Sequence, residues 1–199
     1  MGILNEKGIF CQLDEQKLTS CKNLFSCGNK DLDDFFHSDC ISYSNSLLGK
    51  SYCFCSTDNS NDIICAFTVS NSSIFTNRLP NSRKKKIGKE IPHSKQDINY
   101  PAVLIGRLGI NIAYQHLHVG SELMNFIKMW FIEPNNKTGC RYLVVDAYNT
   151  EIPIAFYKKN GFDFIFSTET QEMEYRNIKS NQPLRTRLMY YDLIRLVKN

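Results

Sequence analysis

The stretch that decides the fold is IGRLGINIAYQHLHVGSELM, residues 105–124. It begins with apolar residues on both faces, as a buried central strand does. From Val119 onward, apolar residues such as Leu123 and Phe126 return at helical spacing. The sequence therefore predicts a buried strand, a short polar loop, and a helix that ends before Pro134.

The loop between this strand and helix is a candidate phosphate cradle. A helix N-terminus presents backbone N–H groups and the positive end of its dipole, which together bind phosphate. Tight wrapping before such a helix favours glycine. Here only Gly120 is glycine, and His116 and His118 stand earlier in the loop. From this fragment alone, an ordinary loop with a helix cap explains the residues equally well.

Periodicity predicts the remaining elements on either side. The predictions are a strand over 8–13, an amphipathic helix from Leu32 to Ile41 capped by Asn29 or Asp31, and a hairpin of SYCFCST (51–57) and DIICAFTVSN (62–71). They continue with an irregular polar segment over 72–100, a buried strand over 141–149, a helix over 151–160 with Gly161 after it, and strands over 162–167 and 187–197.

The order of these elements defines the fold class. Strand, helix and strand after residue 101 indicate a parallel pair with a crossover helix, whereas the early hairpin indicates antiparallel pairing. The expected fold is α/β, with a mixed sheet. A chain of 199 residues is long enough for one core, so a single domain over 1–199 is expected.

The composition shows neither a disordered nor a collagen-like bias. Hydrophobic residues make up 42% and charged residues 22%, and the formal charge is +4. This balance is ordinary for a globular chain, and the small positive charge permits an anionic partner without requiring one. No stretch approaches the roughly 18 apolar residues of a membrane span, and no signal peptide is recognisable. A cytoplasmic protein without a membrane partner is expected.

Eight cysteines are scattered along the chain. Cys53 and Cys55 alternate as strand residues do, and no second pair stands at zinc-ribbon spacing. We interpret the cysteines as reduced, small buried hydrophobes, and predict no metal site.

Together with LVVDAYNTEIPIAFYKKNGF (143–162), the opening stretch resembles the GNAT superfamily of acyl-CoA N-acyltransferases. The loop of that family has Gln or Arg, two residues, Gly, one residue, and Gly or Ala. Gln115 and Gly120 match the ends of this pattern, whereas His118 replaces the middle glycine. A non-glycine residue with positive φ is strained, although His tolerates that conformation better than most residues do.

Four motifs together point to one branch of this superfamily. LFSCGNKDLDDFF (24–36), Arg107-Leu108, VVDAYN (144–149) and AFYKKNGF (155–162) are similar to toxin-type acetyltransferases that modify the amino group of aminoacyl-tRNA. This resemblance implies a mixed, mostly antiparallel sheet with a central, splayed parallel pair and flanking helices. It also implies acetyl-CoA as acetyl donor, aminoacyl-tRNA as acceptor, a small antitoxin protein as partner, and a homodimer.

The same resemblance implies roles for individual residues. Acetyl-CoA is expected where the strands ending near Ile110 and Asp146 diverge, with Tyr157 as general acid for the leaving thiolate. The other cofactor-binding residues are Leu108, Gly109 and Ile110 for pantetheine, Gln115 to steady the loop, His116, Leu117, His118, Val119, Gly120 and Ser121 for pyrophosphate, and Asn149. By position alone, the base candidates are Glu133, Asp146, His116 and His118, and none of them is favoured.

A run of basic residues provides candidates for tRNA contacts. They are Arg83, Lys84, Lys85, Lys86 and Lys89, which can supply affinity for phosphates without reading sequence. A solvated surface helix explains the same run.

Two other functions stay open. One is a GNAT enzyme for a small amine or a protein N-terminus. The other is a non-catalytic binding module, in which His116 and His118 fill a degraded cofactor cleft.

Overall fold

The computed structural model describes residues 2–21, 25–58, 62–89, 91 and 99–198. The chain divides into two compact units. Unit 1 comprises Met1–Asn71 and Ile105–Phe131, and unit 2 comprises Ser72–Leu104 and Ile132–Asn199. A single domain over the whole chain stays a prediction.

Unit 1 contains the amino-terminal strands and the predicted loop. Its elements are α1 (Ile3–Lys7), β1 (Gly8–Gln12), α2 (Glu15–Ser20), α3 (Lys30–Asp34), a π-helical turn (Phe35–Asp39), α4 (Cys40–Asn45), β2 (Lys50–Ser56), most of β3 (Ile63–Phe75), the second half of β4 (Asn99–Ile110), and α6 (Val119–Ile132) up to Phe131. The predicted helix N-cap is confirmed, since the Asn29 side chain accepts a hydrogen bond from the Leu32 N–H.

Unit 2 contains the carboxy-terminal elements. They are α5 (Asn81–Ile87), the first half of β4, β5 (Tyr142–Tyr148), α7 (Glu151–Lys159), β6 (Asp163–Phe164), α8 (Glu169–Arg176), β7 (Thr186–Asp192) and α9 (Ile194–Val197). As predicted, Gly161 follows α7 with a positive φ of 82°.

The strands form one sheet in the order β1-β2-β3-β4-β5-β7-β6. β1 pairs with β2, and β2 with β3, antiparallel, which confirms the predicted hairpin. β5 and β6 also pair with β7 antiparallel, whereas β4 and β5 form the one parallel pair among the described strands. The predicted fold class is thus confirmed: a mixed, mostly antiparallel sheet flanked by helices.

Each unit has its own core. Unit 1 buries Leu13, Phe36 and Cys53 in one cluster, and it packs five aromatic rings together in stacked, tilted and edge-on contacts: Phe10, Tyr52, Phe67, Phe126 and Trp130. In unit 2 the cluster is built around Tyr142 and Phe166, and the Tyr142 hydroxyl donates to the Ile87 carbonyl at 2.6 Å. This bond ties α5 to the sheet of its own unit.

Two predictions near the carboxyl end are wrong in part. The strand predicted over 187–197 stops at Asp192, because its carboxylate accepts from the Ile194 N–H at 3.3 Å and starts α9. The strand predicted over 162–167 shrinks to Asp163–Phe164. Its next carbonyls, of Phe164 and Ile165, accept from the Arg83 guanidinium.

Other differences concern helices. The segment 72–100 is more regular than predicted, since β3 continues to Phe75 and α5 follows. Residues 90 and 92–98 lie outside the described part. Helix α8 is absent from the sequence prediction because it is polar and buries Glu172 rather than an apolar stripe. Within the described residues, no helix has the length and apolar character to cross a bilayer.

Candidate functional site

Two residues of the loop over 115–118 have a left-handed backbone. His116 has a φ of 62° and His118 a φ of 63°, both in the left-handed region. Both imidazoles are exposed. The two histidines therefore adopt a conformation for which glycine is usual, with their side chains in solvent.

Backbone N–H groups gather where this loop enters α6. The first hydrogen bonds of the helix run from Ser121 and Glu122 N–H to the His118 carbonyl, at 3.0 and 3.2 Å. Within the described part of the chain, the N–H groups of residues 116–120 donate to no backbone carbonyl. A row of such donors at a helix N-terminus is a site for an anion. The residues present thus fit a pyrophosphate.

The Gln115 side chain fixes the start of the loop. Its Nε2 donates to the carbonyl oxygens of Cys27 at 2.8 Å and Ile110 at 3.0 Å. The Ile112 N–H also donates to the Ser26 carbonyl at 2.9 Å. The start of the loop is therefore hydrogen-bonded both to the end of β4 and to the turn over 25–28.

That turn is held by Asp33. The carboxylate accepts from the Cys27 N–H at 2.7 Å and from the Ser26 hydroxyl at 2.9 Å. Burial raises the pKa of Asp33, but these hydrogen bonds outweigh it and lower the pKa below its ordinary value. Residue-level reasoning gave Asp33 no role, although it lies inside the quoted motif LFSCGNKDLDDFF.

Asn111 is a second supporting residue that the sequence analysis missed. Its N–H donates to the Ile64 carbonyl and its Nδ2 to the Ile63 carbonyl, each at 2.9 Å. Its Oδ1 accepts from the Ala113 N–H at 3.1 Å. An Asn that bonds the backbone two residues on is a turn signal, and this signal was present in the sequence.

The end of β4 carries the three residues predicted for pantetheine. Leu108 and Ile110 are half-buried and Gly109 is buried. A Cβ at Gly109 would lie 3.0 Å from the Phe25 ring and 3.2 Å from the Cys27 side chain. A side chain here would be crowded, because the turn over 25–28 packs directly on the strand.

Tyr157 lies on α7, and the end of that helix holds it. The Gly161 N–H donates to the Lys158 carbonyl at 2.9 Å, and the Phe162 N–H to the Tyr157 carbonyl at 3.0 Å. These bonds form a Schellman motif, which brings the rings of Tyr157 and Phe162 to 5.4 Å between centroids. Desolvation raises the pKa of Tyr157 to about 12, so the phenol is protonated at neutral pH.

Asn149 is tied into unit 2 by its amide. Nδ2 donates to the Glu169 carboxylate at 3.0 Å and to the Leu184 carbonyl at 2.8 Å. Because both partners are acceptors, the amide nitrogen must face them, which directs Oδ1 the other way. The Asn149 side chain can then offer a ligand only a hydrogen-bond acceptor, its Oδ1.

The base candidates differ in their surroundings. Asp146 accepts from Arg176 at 2.6 Å, and Arg176 also pairs with the buried Glu172. A carboxylate in such a pair is engaged by its cationic partner. Glu133, like the two loop histidines, is exposed.

The basic run from Arg83 to Lys86 lies in α5 and Lys89 follows the helix, and its side chains are of two kinds. Arg83 donates to the carbonyls of Phe164 and Ile165, and thus anchors the helix. Lys86 pairs with Asp163 at 3.3 Å. Lys85 and Lys89 are exposed and Lys84 is half-buried.

The predicted site residues are therefore divided between the units. Unit 1 brings together the end of β4, which is predicted to bind pantetheine, Gln115, and the loop that is predicted to bind pyrophosphate. Unit 2 contains Tyr157, Asn149 and the basic run.

Comparisons with known proteins show the fold. No protein-family model matches the chain, and no curated protein matches its sequence. Solved structures do match over nearly the full length. A tyrosine-to-phenylalanine mutant of KacT is 19% identical, with a TM-score of 0.64, covering 97% of this chain and 99% of that one.

Two further neighbours carry ligands. AtaT complexed with acetyl-methionyl-tRNAfMet is 20% identical, with a TM-score of 0.62 and coverage of 96% and 99%. AtaTR bound with AcCoA is 19% identical, with a TM-score of 0.61 and coverage of 98% and 99%. The chain thus has the fold of KacT and AtaT, which are toxins of the GNAT fold.

Proposed function

We propose that this chain is an N-acetyltransferase that transfers the acetyl group of acetyl-CoA to the amino group of aminoacyl-tRNA. The observation that carries the proposal is the left-handed backbone of His116 and His118, directly before the N–H groups that open α6. In a chain of GNAT fold, this loop is where the family pattern places pyrophosphate.

The loop binds the donor through its backbone. N–H groups from His116 to Gly120 would donate to the pyrophosphate oxygens, whereas the Ser121 N–H is already engaged with the His118 carbonyl, and the positive end of the α6 dipole adds to the attraction. Gln115 keeps these groups aligned because both of its amide hydrogens are held by carbonyls. No lysine is needed at this position.

Strand β4 positions the acyl group. Backbone groups of Leu108, Gly109 and Ile110 pair with the pantetheine amides, and an N–H near Ile110 polarises the acyl carbonyl. The thioester supplies an activated acyl carbon. A fixed N–H is effective here because it does not have to reorganise as negative charge develops on the oxygen.

Tyr157 acts on the leaving sulfur. Its phenol, with a pKa of about 12, retains its proton at the working pH and donates it toward the thiolate. The Schellman motif at Gly161 fixes the backbone of Tyr157 through its carbonyl, and the Phe162 ring packs against the phenol ring.

The acceptor needs little help from a base. An α-amino group has a pKa near 8, and is partly neutral at physiological pH, whereas a lysine at about 10.4 is not. This difference favours an aminoacyl ester over a lysine side chain. It also agrees with the engagement of Asp146 by Arg176.

The exposed lysines of α5 are the proposed phosphate contacts. Lys85 and Lys86 of α5, with Lys89 just after the helix, supply sequence-independent affinity for tRNA, and Lys84 adds to it. Arg83 contributes by anchoring the helix. We further propose action in the cytoplasm, a small antitoxin protein as inhibitor, and a homodimer. AtaT and KacT have been solved with AtaR and with KacA and DNA, respectively.

The test is transfer of labelled acetyl from acetyl-CoA to a pool of charged tRNAs, with Tyr157→Phe in parallel. We expect label on the esterified amino acid, and at least a hundredfold lower rate in the variant. Tyr43→Phe is the matched control, since Tyr43 is also half-buried and packs on Phe35, and should leave the rate unchanged.

The other outcomes contradict specific parts of the proposal. CoA binding without transfer to tRNA would redirect the search to small amines and protein N-termini. Absence of both transfer and CoA binding would favour the non-catalytic module, in which the histidines fill the pyrophosphate site.

A further inference from the structure

Three cysteine sulfurs of unit 1 meet at one point, although the cysteines lie far apart in sequence. The Sγ atoms of Cys11 and Cys53 are 3.4 Å apart, and the Sγ of Cys55 lies 3.7 Å from each. We call these three residues the thiol cluster. All three are free thiols.

Strand register brings the three sulfurs together. Cys11 of β1 is the direct partner of Cys53 on β2. Cys53 and Cys55 are two residues apart on β2, so their side chains point to the same face of the sheet. The sulfurs are thus positioned by the backbone of two paired strands and not by mobile loops.

The thiol cluster is buried on one side and partly exposed on the other. Cys53 and Cys55 are buried in the apolar cluster with Leu13 and Phe36, whereas Cys11 is only half-buried. A ligand can therefore reach the sulfurs from the Cys11 side. Apolar walls exclude water, which strengthens bonds from thiolates to a cation.

The spacing matches a shared metal ion. With Zn–S bonds of about 2.3 Å, two sulfurs of a tetrahedral site lie about 3.8 Å apart. The observed 3.4 and 3.7 Å require shifts of only a few tenths of an ångström. A disulfide is not present at these distances, since its sulfurs lie about 2.05 Å apart.

Charge also fits a cation with three thiolates. A divalent ion and three thiolates carry a net charge of −1, and the Lys17 ammonium lies within electrostatic range of Cys11 and Cys55. Lys17 offsets that charge. In the described part of the chain, no other group of three ligand-type side chains comes as close together.

We propose that the thiol cluster binds a thiophilic cation, Zn²⁺ or Cu⁺, through the sulfurs of Cys11, Cys53 and Cys55. Soft thiolate ligands select these ions over Mg²⁺ or Ca²⁺. Binding forms three metal–sulfur bonds and releases three thiol protons to the solvent. The ion cross-links β1 and β2, so it stabilises the edge of the sheet.

The experiment is titration of the reduced full chain with Co²⁺ as a spectroscopic probe, without oxygen. We expect one equivalent to produce thiolate-to-cobalt charge-transfer absorption, and Zn²⁺ to displace it. In a second arm, Cu⁺ should displace the cobalt signal with the same stoichiometry. The ion that displaces Co²⁺ at the lower concentration is the preferred one.

Three variants decide where the metal binds. Cys53→Ala and Cys11→Ser should each weaken cobalt binding at least tenfold. Cys11→Ser tests the site without opening the core, since that residue is half-buried. Cys140→Ala is the control, because Cys140 lies in unit 2 and donates to the Tyr142 carbonyl, and it should bind cobalt as the unaltered chain does.

A melting experiment provides an independent readout. Zn²⁺ should raise the melting temperature of the unaltered chain and of Cys140→Ala, but not that of Cys11→Ser. Absence of the charge-transfer band in the unaltered chain would overturn the proposal. So would a band that survives both Cys53→Ala and Cys11→Ser.

Discussion

Two places in this molecule use a left-handed backbone beside a helix, and they use different residues for it. At the end of α7 the residue is Gly161, with a φ of 82°, and at the start of α6 the residues are His116 and His118, with φ values of 62° and 63°. A Cβ at Gly161 would lie 3.0 Å from the Tyr191 ring, whereas the two histidine side chains are exposed.

The difference shows that glycine can be favoured for two distinct reasons, the backbone conformation and the space available for a Cβ. At Gly161 both the conformation and the nearby Tyr191 ring disfavour a side chain. In the loop only the conformation is unfavourable, and for an L-residue this costs about 1–2 kcal/mol. An anion held by backbone N–H groups does not need the space that a Cβ occupies on the solvent side, so the two histidines are compatible with the proposed pyrophosphate site.

The largest effect is expected from Gly161→Ala. The substitution adds strain at positive φ and a contact with Tyr191, so we expect the free energy of unfolding to fall by about 2 kcal/mol. Acetyl transfer should fall as well, because the Schellman motif holds Tyr157. Urea unfolding measures the first effect. Gly139→Ala is the control, since a Cβ there meets no atom within 4 Å, and an equal loss in both variants would refute the argument.

His118→Val should have the next largest effect. A β-branched residue adopts positive φ poorly, so we expect CoA affinity to fall about tenfold, or about 1.4 kcal/mol. His118→Gly should bind CoA within about twofold of the unaltered chain. Calorimetric titration measures both, with the exposed Leu117→Val as control. If valine binds CoA as well as glycine does, the loop conformation does not control binding.

Gln115→Ala tests the support of the loop. It removes two hydrogen bonds, each worth about 0.5–1.5 kcal/mol, to the Cys27 and Ile110 carbonyls. Partial replacement by water should limit the net loss to about 1 kcal/mol, or about fivefold in CoA affinity. The exposed Gln16→Ala should have no effect. Unchanged binding in Gln115→Ala would show that the loop holds its conformation without this side chain.

The smallest effect is expected from Asp33, and it depends on pH. Because the folded pKa is lowered, the stabilisation is fully present above the unfolded value of about 3.9 and is lost as pH falls through the folded pKa. Asp33→Asn should therefore be less stable at neutral pH, by under about 1 kcal/mol, and the difference should shrink below pH 4.

Urea unfolding at several pH values checks this prediction. Asp34→Asn, on the same helix but in an exposed pair with Lys30, is the control. A difference between Asp33→Asn and the unaltered chain that grows as pH falls would contradict it.

The sequence predicted those elements whose signals are local. Alternation marked β1, β2 and β3, and the apolar spacing from Val119 marked α6, because an amphipathic pattern has one low-energy way to bury its face. The strain at His118 was also predictable, since the family pattern assigns glycine to that position. Positive φ at His116 was not, because no rule of spacing or composition identifies it.

The parts that sequence reasoning missed depend on partners distant in the chain. Helix α8 buries Glu172 with no accessible surface, which is favourable only because Arg176 and Arg187 pair with it. Arg83 looked like a phosphate ligand but bonds carbonyls 81 and 82 residues away. The meeting of Cys11 with Cys53 likewise follows from strand register, which spacing alone does not reveal.

One contact of α6 bears on how the protein is made. The Glu122 carboxylate accepts from the N–H groups of Ile3 and Leu4, at 3.1 and 2.8 Å, and leaves no room for a side chain at Gly2. Leu4 and Glu122 are separated by 118 positions. A ribosome adding about 5–20 residues per second needs roughly 6–24 s to synthesise that interval. Throughout this time α1 has no carboxylate at its N-terminus, so its native cap can form only after the helix that follows the loop has emerged.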